Sequence, residues 1–320
     1  MSQPRSLVTG CAGFVGSHLC RRLLDEGHLV TGIDGLTDSY DPAVKRANLA
    51  GFAADPGFTF VAGHLADLDL PPLLEGIDYV FHLAARAGVR GGWGAVFDDY
   101  QRDNVTSTQR LLEALRLKPG ARQFILASTS SIYGRDPPLP TPETAPANPQ
   151  SYYAITKLAC EKLAAAYLHH FDVPITTLRF YTLYGPRQRP DMAFHIFLRS
   201  LLRDEEITVF GDGAQTREVT YIEDAVDAIL LSLGADRIGQ TFNVGGGTYR
   251  ELNGYLEELE IVAGRRFRRR TAPVVEGDQL HSRADVTQAR DVLGYAPGWS
   301  LRDGLQAEFD WLRAVYDDPG

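Results

Sequence analysis

The sequence predicts an α/β protein, in which a doubly wound parallel sheet carries a smaller, interleaved C-terminal α/β domain. In the first half of the chain, short apolar runs alternate with longer segments of helical spacing, which is typical of a parallel sheet covered by helices. After about residue 180, glycine-rich turns break up that alternation. We therefore expect the large domain to comprise residues 1–179 and about 217–247, and the smaller domain to comprise about 180–216 and 248–320.

Six runs in the first half have the composition of buried parallel strands. Each is short and rich in β-branched or apolar residues, as expected for strands with helices on both faces. They are Ser6–Thr9, Leu29–Ile33, Phe58–Val61, Tyr79–Leu83, Gln123–Ala127 and Ile175–Phe180. A further run, Thr241–Val244, is predicted to rejoin the same sheet, and helices are predicted over Asp98–Leu115 and Ser151–Phe171.

The composition predicts a cytoplasmic protein that binds neither nucleic acid nor membranes. The chain has 320 residues, 44% of them hydrophobic, and its net charge is −9, a poor balance for binding polyanions. We interpret the basic run Gly264–Arg270 as a solvated strand edge, although it could instead attract an anionic substrate. Cys11, Cys20 and Cys160 lack paired spacing, which favours a reduced chain without disulfides or a metal site. No apolar run is long enough to span a membrane.

A glycine-rich turn follows the first predicted strand. Gly10, Gly13 and Gly16 form a GxxGxxG pattern between this strand and a helix. Gly10 permits a tight turn, Gly13 lets the backbone approach a pyrophosphate, and Gly16 lets the helix pack closely on the strand. The free N–H groups at the start of the helix would face the phosphates. The pattern predicts a Rossmann-type site for a dinucleotide.

Asp34 ends the second predicted strand, where a carboxylate can accept hydrogen bonds from the ribose hydroxyls of an adenosine. The same charge would repel a 2′-phosphate, and no arginine follows directly to bind one. Asp34 therefore favours NAD over NADP. The alternative is an ordinary helix cap or turn residue.

Tyr153 and Lys157 lie four residues apart, on one face of a predicted helix. A phenol has a pKa of about 10, so it needs a nearby positive charge to act as a base at neutral pH. The pair follows the hydroxyl-rich segment Ser128–Ser131, at the end of a predicted strand where ligands of such sheets bind. A half-buried Tyr beside a surface Lys is the structural alternative, but this combination favours redox chemistry.

With these features together, the chain resembles the extended short-chain dehydrogenase/reductases, and within them the nucleotide-sugar epimerases. The resemblance covers nearly the whole chain. It continues through the motifs His82–Ala85, Arg179–Pro186, Gly211–Gly213, Tyr221–Asp224, Asn243–Gly245 and Gly277–Asp278.

The resemblance implies an enzyme with a catalytic set, an NAD site and a UDP-sugar site. The catalytic residues would be Thr129, Tyr153 and Lys157. Besides Tyr153 and Lys157, the NAD-binding residues would be Gly10, Gly13, Phe14, Val15, Gly16, Asp34, Leu36, Asp38, Ser39, His64, Leu65, Leu83, Ala84, Ala85, Asn104, Ala127, Ser128 and Phe180. The UDP-sugar would be bound by Arg90, Thr129, Ser130, Ser131, Thr182, Arg189, Arg217 and Asp278, with Arg217 and Asp278 on the UDP and Arg189 near the diphosphate. The resemblance also implies a homodimer formed through the two long helices, and no metal.

Two positions depart from the family pattern. His64 follows Gly63 where an Asp is usual, and one of its ring nitrogens could still meet adenine. Glu218 follows Arg217 where an Asp is usual. Neither departure touches the expected chemistry.

The residues after Thr129 separate the candidate reactions. The resemblance implies that Tyr153 takes the O4 proton while the C4 hydride passes to NAD, giving a 4-keto sugar. A 4,6-dehydratase carries Asp-Glu after the catalytic Thr, and a UDP-glucuronate decarboxylase carries a Glu in this turn, whereas this chain has Ser130 and Ser131. We therefore expect epimerisation, in which the keto sugar rotates and takes the hydride back on its other face.

The sugar is expected to be glucuronate. Asp38–Arg46 and His82–Arg90 resemble UDP-glucuronate 4-epimerases, and Thr182 stands where UDP-glucose 4-epimerases usually have Asn. The clustered hydroxyls could hold a carboxylate and restrain loss of CO₂ from the β-keto acid. UDP-glucose is the main alternative. A decarboxylase is less favoured because Ser131 occupies the place of its Glu, and a protein that binds NAD only as a sensor is less favoured because the catalytic set is complete.

Overall fold

The computed structural model describes residues 3–88, 94–273 and 280–317. The strands are β1 (Arg5–Thr9), β2 (Leu29–Asp34), β3 (Phe58–Ala62), β4 (Tyr79–His82), β5 (Gln123–Thr129), β6 (Ile175–Phe180), β7 (Thr182–Tyr184), β8 (Glu206–Phe210), β9 (Thr216–Tyr221), β10 (Thr241–Val244), β11 (Thr248–Glu251), β12 (Arg268–Ala272) and β13 (His281–Ser282). The α-helices are α1 (Phe14–Asp25), α2 (Pro42–Ala50), α3 (Phe97–Tyr100), α4 (Ser107–Leu117), α5 (Tyr152–Phe171), α6 (Ala193–Arg203), α7 (Ile222–Leu231), α8 (Leu252–Ala263) and α9 (Leu301–Asp317). A π-helical turn, Gln101–Thr106, joins α3 to α4.

Seven parallel strands form the large sheet in the order β3-β2-β1-β4-β5-β6-β10. The chain winds from β1 to β3 in one direction and then from β4 to β10 in the other, which confirms the predicted Rossmann-type fold. Helices α1 and α7 pack on one face, and α4 and α5 pack on the other. Thr9 pairs with both Ile33 and His82, so the carboxyl ends of the three central strands are level. Ligands of such sheets bind at this edge, beside the point where the winding reverses.

The smaller unit is built around β9. This strand pairs with β11 in antiparallel fashion and with β7 and β13 in parallel, while β8 and β12 form a separate parallel pair. Helices α6, α8 and α9 cover these strands in one apolar core. The boundary predicted at about residue 217 falls inside β9, and the chain returns to the large sheet only at α7. A strand-like pattern could not reveal which sheet β9 joins, because its partners β7, β11 and β13 lie in other segments of the chain.

The basic run Gly264–Arg270 ends in an exposed strand, which agrees with its interpretation as a solvated strand edge. It ends in β12, which pairs on one side with β8 and exposes Arg268, Arg269 and Arg270. Arg266 and Arg269 form ion pairs with the Glu260 carboxylate. Within the described ranges, no helix combines the length and apolar character needed to cross a membrane.

We expect Gly16→Ala to destabilise the protein and Gly254→Ala to stabilise it. A Cβ at Gly16 would overlap the Gly10 carbonyl oxygen, which belongs to the backbone and cannot move away. At Gly254, within α8, the nearest atom to an added Cβ is 3.9 Å away, so only the helix propensity changes. The gain there should be at most about 1 kcal/mol. Urea unfolding measures both, and an unchanged midpoint for Gly16→Ala would contradict the close packing.

Candidate active site

A cavity of about 1230 Å³ opens at the carboxyl edge of the large sheet and continues to the smaller unit. Typical small-molecule sites occupy about 300–1,000 Å³, so this space is large enough for a cofactor and a substrate together. Most of the predicted site residues line it: Gly10, Gly13, Phe14, Val15, Gly16, Asp34, Ser39, His64, Leu65, Leu83, Ala84, Ala85, Ala127, Ser128, Thr129, Ser130, Ser131, Tyr153, Lys157, Phe180, Thr182, Arg189 and Arg217.

The glycine turn leaves the start of α1 open towards the cavity. Gly13 caps the helix with no side-chain hydrogen bond, so the first backbone N–H groups are free to bind an anion. Gly10 has a φ of 73°, and a Cβ there would lie 2.9 Å from the Ala84 backbone. These contacts form a cradle that only glycine permits, and the cradle fits the pyrophosphate of a dinucleotide.

Asp34 is held in place at the end of β2. Its carboxylate accepts hydrogen bonds from Leu36 N at 2.8 Å and from Ala12 N at 3.1 Å. Because a carboxylate has about four acceptor positions, lone pairs remain for the hydroxyls of a ribose. Asp34 therefore fits the ribose role predicted for it.

Lys45 is a cavity residue that the sequence analysis missed. Its buried ammonium donates to the Thr37 carbonyl at 2.6 Å and lies 4.6 Å above the Tyr40 ring. Both Lys45 and Tyr40 line the cavity near Asp34. The only signal in the sequence was their place within the Asp38–Arg46 segment, which had been noted for its resemblance but not for individual side chains.

Thr129, Tyr153 and Lys157, the predicted catalytic residues, line the same cavity. Thr129 ends β5, and α5 begins at Tyr152, where the Ser151 hydroxyl accepts from Ala154 N at 3.2 Å. Burial raises the pKa of Tyr153, while a hydrogen bond with Thr129 and the charge of Arg189 act in the opposite direction. Burial lowers the pKa of Lys157. Burial thus shifts the phenol and the ammonium towards their neutral forms, and the Thr129 hydrogen bond and the Arg189 charge oppose that shift for the phenol.

A buried ion pair fixes α5 against strands β5 and β6. The Glu161 carboxylate accepts two hydrogen bonds from Arg179, at 2.8 and 3.0 Å, and one from the Ser128 hydroxyl. Arg179 also donates to the Tyr133 hydroxyl at 2.8 Å, and Tyr133 donates to Asn243 at 2.7 Å. The network connects the helix that carries Tyr153 and Lys157 to the strand that carries Thr129.

Three predicted cofactor residues, Leu36, Asp38 and Asn104, do not line the cavity. The Asn104 amide accepts from Arg86 N at 2.7 Å and donates to the Arg86 carbonyl and to Thr156. Its contacts within the protein therefore hold the loop after β4 against α5. Arg90 and Asp278 lie outside the described residues.

The far end of the cavity belongs to the smaller unit. Arg217 lines it and donates to the backbone carbonyls of Thr216 and Leu280, each at 2.9 Å. Glu218 is buried instead and accepts from Ala284 N and Gly247 N, at 2.6 and 3.0 Å. The second departure from the family pattern is therefore a structural residue that ties three segments together.

Comparison with known proteins decides the family. Residues 6–245 match the NAD dependent epimerase/dehydratase family. The chain belongs to this family. A protein of Bacillus subtilis (strain 168), described as an uncharacterized UDP-glucose epimerase, is 42% identical over 97% of this chain and 98% of its own length. The UDP-glucuronate 4-epimerase of Thermodesulfobacterium geofontis is 35% identical over 96% of this chain and 95% of its own length.

Solved structures of the family agree with this fold. The Bacillus cereus UDP-glucuronic acid 4-epimerase, solved with UDP-glucuronic acid and NAD, superposes with a TM-score of 0.94. It is 39% identical, covering 98% of this chain and all of its own. NAD is thus the cofactor of the family, and the glycine cradle and Asp34 of this chain are suited to bind it.

We expect Arg179→Met to reduce the free energy of unfolding by about 3–5 kcal/mol, because it leaves the buried Glu161 carboxylate without its counter-charge. Adding Glu161→Gln to this variant should restore part of the loss, since the unpaired charge is then removed. Urea unfolding measures both effects. Arg290→Met is the matched control, because the Arg290–Asp291 pair is 61% exposed on both sides and should contribute less than about 1 kcal/mol. Additive losses for the two buried residues would contradict the proposed coupling.

Proposed function

We propose that this protein is an NAD-dependent UDP-sugar 4-epimerase that converts UDP-glucuronate into UDP-galacturonate through a transient 4-keto sugar. The proposal rests on the residues that share the cavity with Tyr153. These include Ser130, Ser131, Thr182 and Arg189, and the turn Ser130–Tyr133 that follows Thr129 contains no acid. When bound, NAD would supply reversible hydride acceptance from C4 of the sugar.

Tyr153 is the base that takes the O4 proton. The hydrogen bond with Thr129 favours its phenolate and places the two oxygens together, so Thr129 can also bind the sugar hydroxyl. Lys157, one helical turn further on, is the nearest cation on the same helix and would bind the nicotinamide ribose. Elimination or decarboxylation would call for an acid in this turn, where Ser130 and Ser131 stand.

Arg189 favours an acidic sugar. Its guanidinium donates to the Ala87 carbonyl at 3.3 Å and forms a bidentate pair with Asp191. Its positive charge acts to lower the pKa of Tyr153, and both residues line the same cavity. Together with Thr182 and Ser131, it offers a cation and two hydroxyls to a carboxylate at C5 of the sugar.

UDP-glucose is the second candidate substrate. The relative from Bacillus subtilis is described as a UDP-glucose epimerase, and it matches nearly the whole chain at 42% identity. The hydroxyls of Thr182 and Ser131 could equally bind a neutral hydroxymethyl group, but such a sugar offers Arg189 no carboxylate.

We also propose a cytoplasmic homodimer. Helices α4 and α5 lie side by side and expose Leu117, Ile155 and Phe171, large apolar side chains that a second copy could cover. The three cysteines are free thiols, which supports a reducing compartment.

We expect Thr129→Ala to move the ascending limb of the kcat–pH profile to higher pH. The hydrogen bond from Thr129 lowers the Tyr153 pKa, so its loss raises that pKa and reduces the phenolate fraction at neutral pH. Thr129→Ser keeps the hydroxyl and should keep the limb in place. Turnover of UDP-glucuronate between about pH 6 and 10 measures the shift. Equal profiles for the Ala and Ser variants would exclude this role of Thr129.

The substrate is tested by incubating the protein separately with UDP-glucuronate and UDP-glucose and resolving the products by chromatography. UDP-galacturonate without released CO₂ is the expected result. Thr182→Val should lower kcat/KM for UDP-glucuronate by about tenfold, the value of one hydrogen bond to a charged group, and change that for UDP-glucose less. Thr182→Ser is the matched control.

Other outcomes would contradict the proposal. Conversion of UDP-glucose alone would establish the second candidate, and UDP-xylose with CO₂ would establish a decarboxylase. Tyr153→Phe should lower kcat by a factor of about 100 or more. Unchanged turnover in this variant would contradict the role of Tyr153 as the base. If the unaltered protein converts neither sugar, the chain is a binding protein rather than an enzyme.

A further inference from the structure

His64 has no free ring nitrogen to offer a ligand. Its Nδ1 accepts a hydrogen bond from Ala66 N at 3.1 Å, so the ring proton resides on Nε2. Nε2 then donates to the Asp103 carboxylate at 2.9 Å. The ring contact to adenine expected from the sequence is therefore not available, although His64 itself lines the cavity.

Asp103 lines the same cavity as His64, but it belongs to a different segment of the chain. It lies in the π-helical turn before α4, and its side chain is only 12% exposed. One carboxylate oxygen accepts from His64, and the other accepts from Arg86 Nε at 2.9 Å. Each oxygen has a second lone pair, so the carboxylate retains acceptor capacity while its charge is balanced by Arg86.

The position of an adenine follows from the order of the strands. The glycine turn that fits a pyrophosphate follows β1, and Asp34, which fits the ribose, ends the neighbouring strand β2. The base therefore extends over the end of the next strand, β3, where Gly63, His64 and Leu65 line the cavity. The bond to His64 places the Asp103 carboxylate at this end.

We propose that Asp103 accepts a hydrogen bond from the 6-amino group of the cofactor's adenine and that His64 and Arg86 position its carboxylate for this purpose. The amino group is a donor, which an ionised carboxylate binds well and a hypoxanthine carbonyl at the same position cannot replace. Asp103 thus distinguishes adenine from hypoxanthine. The inference rests on the NAD site alone and is independent of which sugar the protein uses.

The test compares the full chain's affinity for NAD and for nicotinamide hypoxanthine dinucleotide by calorimetric titration of protein freed of cofactor. The unaltered protein should bind NAD about tenfold more tightly, because one hydrogen bond to a charged group is lost with hypoxanthine. Asp103→Ala should bind the two dinucleotides within about twofold of each other, chiefly through weaker binding of NAD.

Asp99→Asn is the matched control. Asp99 also faces Arg86, at 3.5 Å, but it is 55% exposed and is not part of the cavity wall. This variant should keep the tenfold preference. His64→Gln should retain a reduced preference, since its amide can still donate to Asp103.

Two results would overturn the inference. One is an unaltered protein that binds both dinucleotides equally, a comparison that requires no variant to fold. The other is an Asp103→Ala protein that keeps the full preference for NAD. Neither result involves sugar turnover, so failure here is distinct from failure of the proposed epimerase activity.

Discussion

The attachment of α5 to the ends of β5 and β6 is the contact on which the site depends. Tyr153 and Lys157 project from this helix, Thr129 projects from β5, and the Glu161–Arg179 pair with Ser128 holds the two elements in register. A buried ion pair adds little net stability compared with apolar packing of the same shape. Here it fixes the position of α5 relative to β6, because the geometry of a bidentate pair is lost when the helix slides along the strand.

Arg189, which lines the cavity, is carried by a loop that makes contacts with both units. The loop that carries Arg189 is held by a bond from His18 to the Pro186 carbonyl, at 2.9 Å, and by a bond from Gly185 N to Glu308, at 2.8 Å. His18 belongs to α1 beside the glycine turn, and Glu308 belongs to α9 of the smaller unit. The loop that carries Arg189 therefore connects α1, which follows the glycine turn, to α9 of the smaller unit.

Local patterns were enough to predict the large sheet, whose strands are apolar and separated by helices of regular spacing. They also predicted the start of α5, since Ser151 has the side chain of an N-cap. They could not predict which sheet β9 joins or that the Asn104 amide bonds to the Arg86 backbone and to Thr156, because both depend on contacts between distant segments. The role proposed for Asp103 depends likewise on His64, a neighbour far along the chain.

The last strand of the large sheet, β10, pairs with β6, and the chain builds β7, β8 and β9 of the smaller unit between the two. During synthesis on a ribosome, the sheet therefore stays open at its β6 edge until more than sixty further residues have emerged. Pairings that are so distant in sequence slow folding and leave an exposed strand edge in the meantime. The same threading means that neither unit corresponds to one continuous gene fragment, so the two cannot be exchanged between relatives as simple cassettes.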